Sequence, residues 1–135
     1  MTVAVDTSAL IAIIGAEPDA GEFIDVFGTS SAALISAATL LEVHCIACRS
    51  SGGISAAELQ VLVDRLELTV VPFDSAQLEA ARLAYSRYGR GSRHRAALNM
   101  GDCFAYALAK TRNLPLLFKG DDFIHTDVKP ALRSE

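Results

Sequence analysis

The sequence predicts an α/β fold, a three-layer α/β/α sandwich built on a mostly parallel central sheet. Short apolar runs rich in β-branched residues alternate with segments of helical periodicity along the chain. Strands separated by helices need crossover connections, which cover both faces of a parallel sheet. With 135 residues, 51% hydrophobic and 21% charged, the chain is expected to form a single domain over residues 1–135 with a substantial core.

Each element has a local reason. Residues 2–6 read as a buried strand led by Val3 and Val5, and Ser8 to Ile14 as a helix stopping near Gly15. Residues 17–27 read as a second helix, with Pro18 tolerated in its first turn. The run AALI, 32–35, is a short strand. A long helix is expected from Ser36 to about Ser50, closed by Gly52 and Gly53. Ser55-x-x-Glu58 is a capping box, followed at helical spacing by Leu59, Leu62, Val63 and Leu66. LTVVPF, 68–73, is a strand ended by Pro72, and Ser75 to about Arg87 a helix. YGRGSRHR, 88–95, is basic and interrupted by glycines, the pattern of a mobile loop. Residues 99–112 read as a helix, 115–118 as a strand, and Val128 as the centre of a last short strand.

Charge and composition exclude some functions. A net charge of −4 argues against a general nucleic-acid coat protein, because phosphate affinity comes mainly from Lys and Arg. The basic residues are nevertheless clustered: Arg82, Arg87, Arg90, Arg93 and Arg95 lie in a stretch with no acid between Glu79 and Asp102. Apolar runs fall well short of the roughly 20 residues that span a bilayer, and no basic region precedes the first. Three cysteines without framework spacing fit a reducing compartment. The expectation is a soluble cytoplasmic protein, without a membrane segment or export signal.

The informative residues are acids in apolar surroundings. Asp6 ends the first strand and is followed at once by Thr7 and Ser8. Glu42 lies in the helix ATLLEVHCIA, 38–47, and Asp102 is the only charged residue in ALNMGDCFAYALA, 97–109. Asp121 and Asp122 follow the strand PLLF at its carboxyl end, where parallel α/β sheets bind ligands. Each acid has a local explanation: Asp6 as a helix cap, Thr39-x-x-Glu42 and Asn99-x-x-Asp102 at capping-box spacing, and Asp121-Asp122 as a polar turn. As a set they are costly, since a buried unpaired carboxylate costs several kcal/mol. A hard divalent cation, Mg²⁺ or Mn²⁺, resolves the conflict through oxygen ligation. Ser8, beside Asp6, is placed to position water or a phosphate oxygen.

Other polar residues have structural readings. In HCIAC, 44–48, Cys45 and Cys48 are read as small core residues, because a closed zinc site needs four ligands. His94 and His125 lack a visible proton path, and Asp127, a further acid near the same end, is read as a turn residue in preference to a support behind the site.

VDTSAL at the start, SAATLLEV (36–43), GDCFAYALAK (101–110) and LLFKGDDFIHTDV (116–128) together resemble the PIN-domain ribonucleases, specifically the VapC toxins of bacterial toxin–antitoxin pairs. The likeness extends over essentially the whole chain. It implies a Mg²⁺-dependent endoribonuclease, with Mn²⁺ able to substitute, whose metal-binding and catalytic acids fall on Asp6, Glu42, Asp102, Asp121 and Asp122. Ser8 is a supporting polar residue. Hydrolysis by metal-activated water would leave a 5′-phosphate and a 3′-hydroxyl. An acidic site repels phosphates, so Arg87, Arg90, Arg93, Arg95 and Lys119 are the candidate RNA contacts, a solvated helix face and loop being the other reading of the basic stretch.

The resemblance also implies a cognate VapB-like antitoxin and a homodimer. The antitoxin helix is expected in a groove formed by residues 8–27 and 36–50, with Leu10, Ile11, Ile14 and Phe23 as candidate lining and an antitoxin arginine competing with metal. Two other classes remain: a receiver-like phosphoryl-transfer domain using Asp6 and Lys119, and a non-catalytic PIN-like binding module.

Overall fold

In the computed structural model, which describes residues 1–132, four parallel strands form one sheet in the order β3-β2-β1-β4. They are β1 (Thr2–Val5), β2 (Ala32–Ser36), β3 (Leu68–Val71) and β4 (Leu116–Leu117). The six α-helices among the described residues are α1 (Thr7–Ile14), α2 (Ala20–Thr29), α3 (Ala37–Ala47), α4 (Ala56–Arg65), α5 (Ser75–Tyr88) and α6 (Met100–Arg112).

Strand alternation sorts the core into two layers. Val3 and Val5 of β1 and Ile35 of β2 face α1–α4, where they pack with Leu10, Phe23, Val43 and Leu59. Ala4 and Leu116 face α5 and α6, packing with Ala84, Tyr88, Tyr106 and Leu108. Both faces of the sheet are therefore covered, as the crossover argument requires. Each fully buried Leu or Ile side chain contributes about 2 kcal/mol.

Several boundaries differ from the expectations. Residues 15–19 form a tight turn, with Ala16 at φ +49°, so α2 starts at Ala20 and Pro18 precedes it. Helix α3 ends at Ala47, because the chain doubles back: the Ile54 amide donates to the Ala47 carbonyl, and a Cβ at Gly53 would strike the backbone of Ala47 and Arg49. β3 ends at Val71, and β4 has only two residues. Val128 is buried but lies outside any strand; the nearby pairing is a bridge from Leu116 to Pro130. The 88–95 segment is tied down. Gly89 bridges Leu98, residues 90–92 form a 3₁₀ turn, and the Ser92 hydroxyl donates to the Gly89 carbonyl at 2.6 Å.

Helix α3 turns Thr39, Val43 and Ala47 to the core. Leu41, Cys45 and Ile46 consequently lie on its outer side, and Cys48 is half-buried. Cys103 is buried in the core and Cys48 packs partly buried against its other layer, whereas Cys45 is exposed, which corrects the reading of Cys45. Among the described residues no helix is long and apolar enough to cross a membrane.

Candidate active site

The acids meet at the carboxyl end of the sheet. Asp6 follows β1 while its amide still donates to Leu117 of β4, at 2.9 Å, so the strand pairing fixes the residue's position. Its extended backbone makes it the N-cap of α1, and Oδ2 accepts from the Ser8 amide (3.0 Å) and the Ser8 hydroxyl (2.6 Å). The capping reading is therefore correct and incomplete. Oδ1 is buried with no hydrogen-bond partner among the described residues, and the whole residue is 3% exposed. Burial pushes the Asp6 carboxyl up to about 7; the Ser8 bonds oppose this, and the charges of Asp102 and Glu42 add to it.

Ser8 is a brace. Its hydroxyl donates to Asp6 and accepts from the Lys119 amide at 2.9 Å, joining the β1–α1 turn to the segment after β4. With its proton given to Asp6, the hydroxyl supports that acid and is not a donor to water or phosphate in this arrangement.

Glu42 is set by the next strand. Ser36, the last residue of β2, caps α3 by accepting from the Ala38 amide at 3.2 Å. Glu42 lies one turn further on, so Thr39-x-x-Glu42 is not a capping box here. Its Oε1 accepts from the Thr7 hydroxyl, adjacent to Asp6. A Cβ at Gly101 would overlap the Glu42 carboxylate, so the absence of a side chain there lets the start of α6 approach Glu42.

Asp102 comes from the opposite layer. It completes a true capping box: Asn99 Oδ1 accepts from the Asp102 amide (2.8 Å), and Asp102 Oδ2 accepts from the Asn99 amide (3.0 Å). As at Asp6, the cap occupies one carboxylate oxygen. Burial raises the Asp102 pKa, the Asn99 amide opposes it, Asp122 and Glu42 raise it further, and Arg90 lowers it.

The structure separates the adjacent acids Asp121 and Asp122, both exposed. Asp122 is close enough to Asp102 to act on its titration. Asp121 instead lines an open groove with Asp19, Glu22, Phe23 and Lys119. The Lys119 ammonium is paired with Glu17 and, at 3.1 Å, with Asp19. Arg87, Arg90, Arg93 and Arg95 are exposed, and none of them forms an ion pair among the described residues. Arg87 stacks over Tyr88, 5.1 Å from the ring centroid. His94 accepts from the Ala96 amide through Nδ1 (3.1 Å) and packs edge-on to Tyr88, a structural placement.

Two contributors escaped the sequence reading: the bond from Thr7 to Glu42, and Gly101. A signal existed for the last, since glycine inside a helix costs about 1 kcal/mol relative to alanine without a compensating close approach. Asp127 also differs from its turn reading: it accepts from the Tyr106 hydroxyl at 2.6 Å and pairs with Lys110 at 2.9 Å.

The donor set consists of carboxylates, the chemistry of a hard divalent cation. The partnerless Asp6 Oδ1 fits such an ion, because a cation would satisfy an oxygen that no protein donor reaches. Among the described residues no three acidic, His or Cys side chains are drawn close enough to make a finished cage.

The residues expected to line an apolar groove differ in exposure. Leu10 and Phe23 are buried core residues, and Ile11 and Ile14 are partly buried. Phe23 still lines the open groove that holds Asp121, and a second, apolar depression of about 360 Å³ lies between α3 and α4, lined by Leu40, Leu41, His44, Leu59 and Val63.

A family model described as the PIN domain matches residues 3–129. Ribonuclease VapC30 of Mycobacterium tuberculosis is 44% identical over 124 residues, covering 92% of this chain and 94% of that protein. The crystal structure of Mycobacterium tuberculosis VapC20, described as a sarcin–ricin loop cleaving toxin, matches with a TM-score of 0.72 at 18% identity, covering 95% of this chain and 99% of that one. A chain of a toxin–antitoxin complex from Klebsiella pneumoniae matches at 0.70 and 18% identity, covering 98% and 99%. The two structures bear on the fold, and the family match sets aside the receiver-like alternative. By the extent of the PIN match and the identity to a VapC ribonuclease, the chain belongs to the PIN-domain family, among its VapC ribonucleases.

Proposed function

We propose that this chain, one domain over residues 1–135, is the toxin of a type II toxin–antitoxin pair and an endoribonuclease dependent on Mg²⁺, with Mn²⁺ able to substitute. The observation that carries this reading is the buried, partnerless Oδ1 of Asp6 beside Glu42 and Asp102. Asp6, Glu42, Asp102 and Asp122 would hold the cation, with Asp122 rather than Asp121 completing the set. When bound, such an ion supplies Lewis-acid activation of water and charge neutralisation at the phosphate.

The protein's own groups do the positioning. Ser8 fixes the Asp6 carboxylate through Oδ2, Thr7 fixes Glu42 through Oε1, and Asn99 fixes Asp102 through its amide. Preset ligands lose less conformational freedom on closing around an ion. Arg90 faces the acid cluster, and Arg87, Arg93 and Arg95 extend its positive rim as phosphate contacts. Lys119 belongs to this set less well, because its charge is committed to Glu17 and Asp19.

The partners follow from the same reading: an RNA substrate, a VapB-like antitoxin and a second copy of the chain, in the cytoplasm. The α3–α4 depression suits the apolar face of an antitoxin helix better than Leu10 and Phe23 do. A chain of the same fold in a toxin–antitoxin complex supports the presence of an antitoxin partner.

The test is cleavage of purified cellular RNA with Mg²⁺, Mn²⁺ or EDTA, alongside folded Asp6→Asn and Asp102→Asn variants. Metal-dependent cutting, lost in both variants, is the expected result. Cutting that persists in EDTA or in folded Asp6→Asn overturns the carboxylate mechanism. No cutting by folded, antitoxin-free protein with either metal supports the non-catalytic module.

A further inference from the structure

The segment that follows β4 closes on itself. The Leu116 amide donates to the Lys129 carbonyl and the Ala131 amide to the Leu116 carbonyl, both at 2.8 Å, so residues 118–129 leave and return at one point of the sheet. Phe123 anchors the middle of this loop in the α5–α6 core and packs against Phe118, with ring centroids 5.1 Å apart. Asp122 is the residue before that anchor.

One stripe of α6 faces this loop. Asp102, Tyr106 and Lys110 recur at intervals of four, which places them on one face of the helix. At the start of the stripe, Asp102 and Asp122 bring two negative charges together. Further along, Tyr106 donates to Asp127 Oδ1 at 2.6 Å and Lys110 pairs with Oδ2 at 2.9 Å. The Tyr106 ring is buried, so its hydroxyl has a fixed address, whereas Lys110 lies at the exposed edge. The same helix therefore repels the loop at one end and grips it at the other.

We propose that Tyr106 and Lys110 are positioning residues that hold Asp127, and through it keep Asp122 opposite Asp102 when no cation is there to offset their repulsion. The inference rests on the reading of Asp102 and Asp122 as metal ligands. Neither Tyr106 nor Lys110 touches the reacting atoms. Their effect appears in how readily the site closes on an ion and much less in the rate once it has closed.

The experiment is Mn²⁺ titration by isothermal calorimetry on wild type, Tyr106→Phe, Lys110→Met and Lys110→Arg, with thermal melting as a check on folding. The same proteins are assayed for RNA cleavage across a Mn²⁺ series. Tyr106→Phe and Lys110→Met are expected to weaken Mn²⁺ binding about tenfold, as loss of a group that orients a metal ligand does. Their cleavage rates at saturating Mn²⁺ should stay within about twofold of wild type, and Lys110→Arg should recover most of the affinity. Wild-type affinity in folded Tyr106→Phe and Lys110→Met overturns the clamp. A lower rate at saturating metal with unchanged affinity also overturns it. If the wild type binds no Mn²⁺, the carboxylate reading itself fails, an outcome distinct from the other two.

Discussion

Asp6→Asn should change the way stability depends on pH before it is ever assayed for catalysis. The folded protein keeps the Asp6 proton up to about pH 7, whereas the ordinary aspartate value is 3.8. Between those limits unfolding releases this proton, so raising the pH favours the unfolded chain. The contribution of Asp6 is most favourable below about pH 4 and is lost as pH rises through about 7. At ~1.4 kcal/mol per pH unit, the interval from 3.8 to about 7 makes roughly 4 kcal/mol of lost stability. Asparagine does not titrate, so this slope disappears in the variant, whatever constant offset the buried amide introduces. The assay is urea unfolding of wild type and Asp6→Asn in EDTA from pH 5 to 8. The stability of the variant relative to wild type should climb with pH by about 2 to 3 kcal/mol over that range. Adding Mn²⁺ at pH 8 should restabilise the wild type and leave the variant nearly unmoved. Parallel pH curves for the two proteins in EDTA would refute the claim that an uncompensated buried carboxylate sits at the end of β1.

Two further outcomes follow from the site. Gly101→Ala puts a methyl group on the Glu42 carboxylate; RNA cleavage should fall by at least about tenfold while circular dichroism retains the helical signal, and full activity would show that α6 can shift without cost. Neutralising Arg90, Arg93 and Arg95 together should weaken RNA binding and flatten its dependence on salt, measured by fluorescence anisotropy across a KCl series; an unchanged slope would leave these arginines as a solvated rim.

The parts of the fold that sequence pattern revealed are those where one force dominates. β1 was readable because Val3 and Val5 are branched and apolar and Asp6 stops the run. The α4 start was readable because a capping box is a local device, and Ser55 and Glu58 do bond reciprocally. α3 was harder. Apolar residues surround it, so the sequence does not say which face is inside, and Cys45 and Leu41 prove to lie outside.

At the site, the acids stood out through their apolar neighbours and their local supports Ser8 and Asn99 through spacing, but the long-range supports did not. Thr7 acts on Glu42 from 35 residues away, and Lys119 gives its amide to Ser8 across 111 residues. Such pairs exist only once the sheet has brought its strand ends together. Asp121 and Asp122 likewise face different surroundings, the groove beside Lys119 and the Asp102 carboxylate, through loop direction, which periodicity does not encode.

The placement of the acids has a mechanical consequence. Glu42 rides on the α1–α4 layer, Asp102 on the α5–α6 layer, and Asp6 on the strand between them. The carboxylates form a seam across a sheet whose two sides share few covalent crossings, so any slip of one layer against the other parts the seam. Loss of activity should therefore come at milder denaturation than loss of helix. An ion seated there would act as a rivet, and the state in which this chain handles RNA would also be its most tightly assembled one.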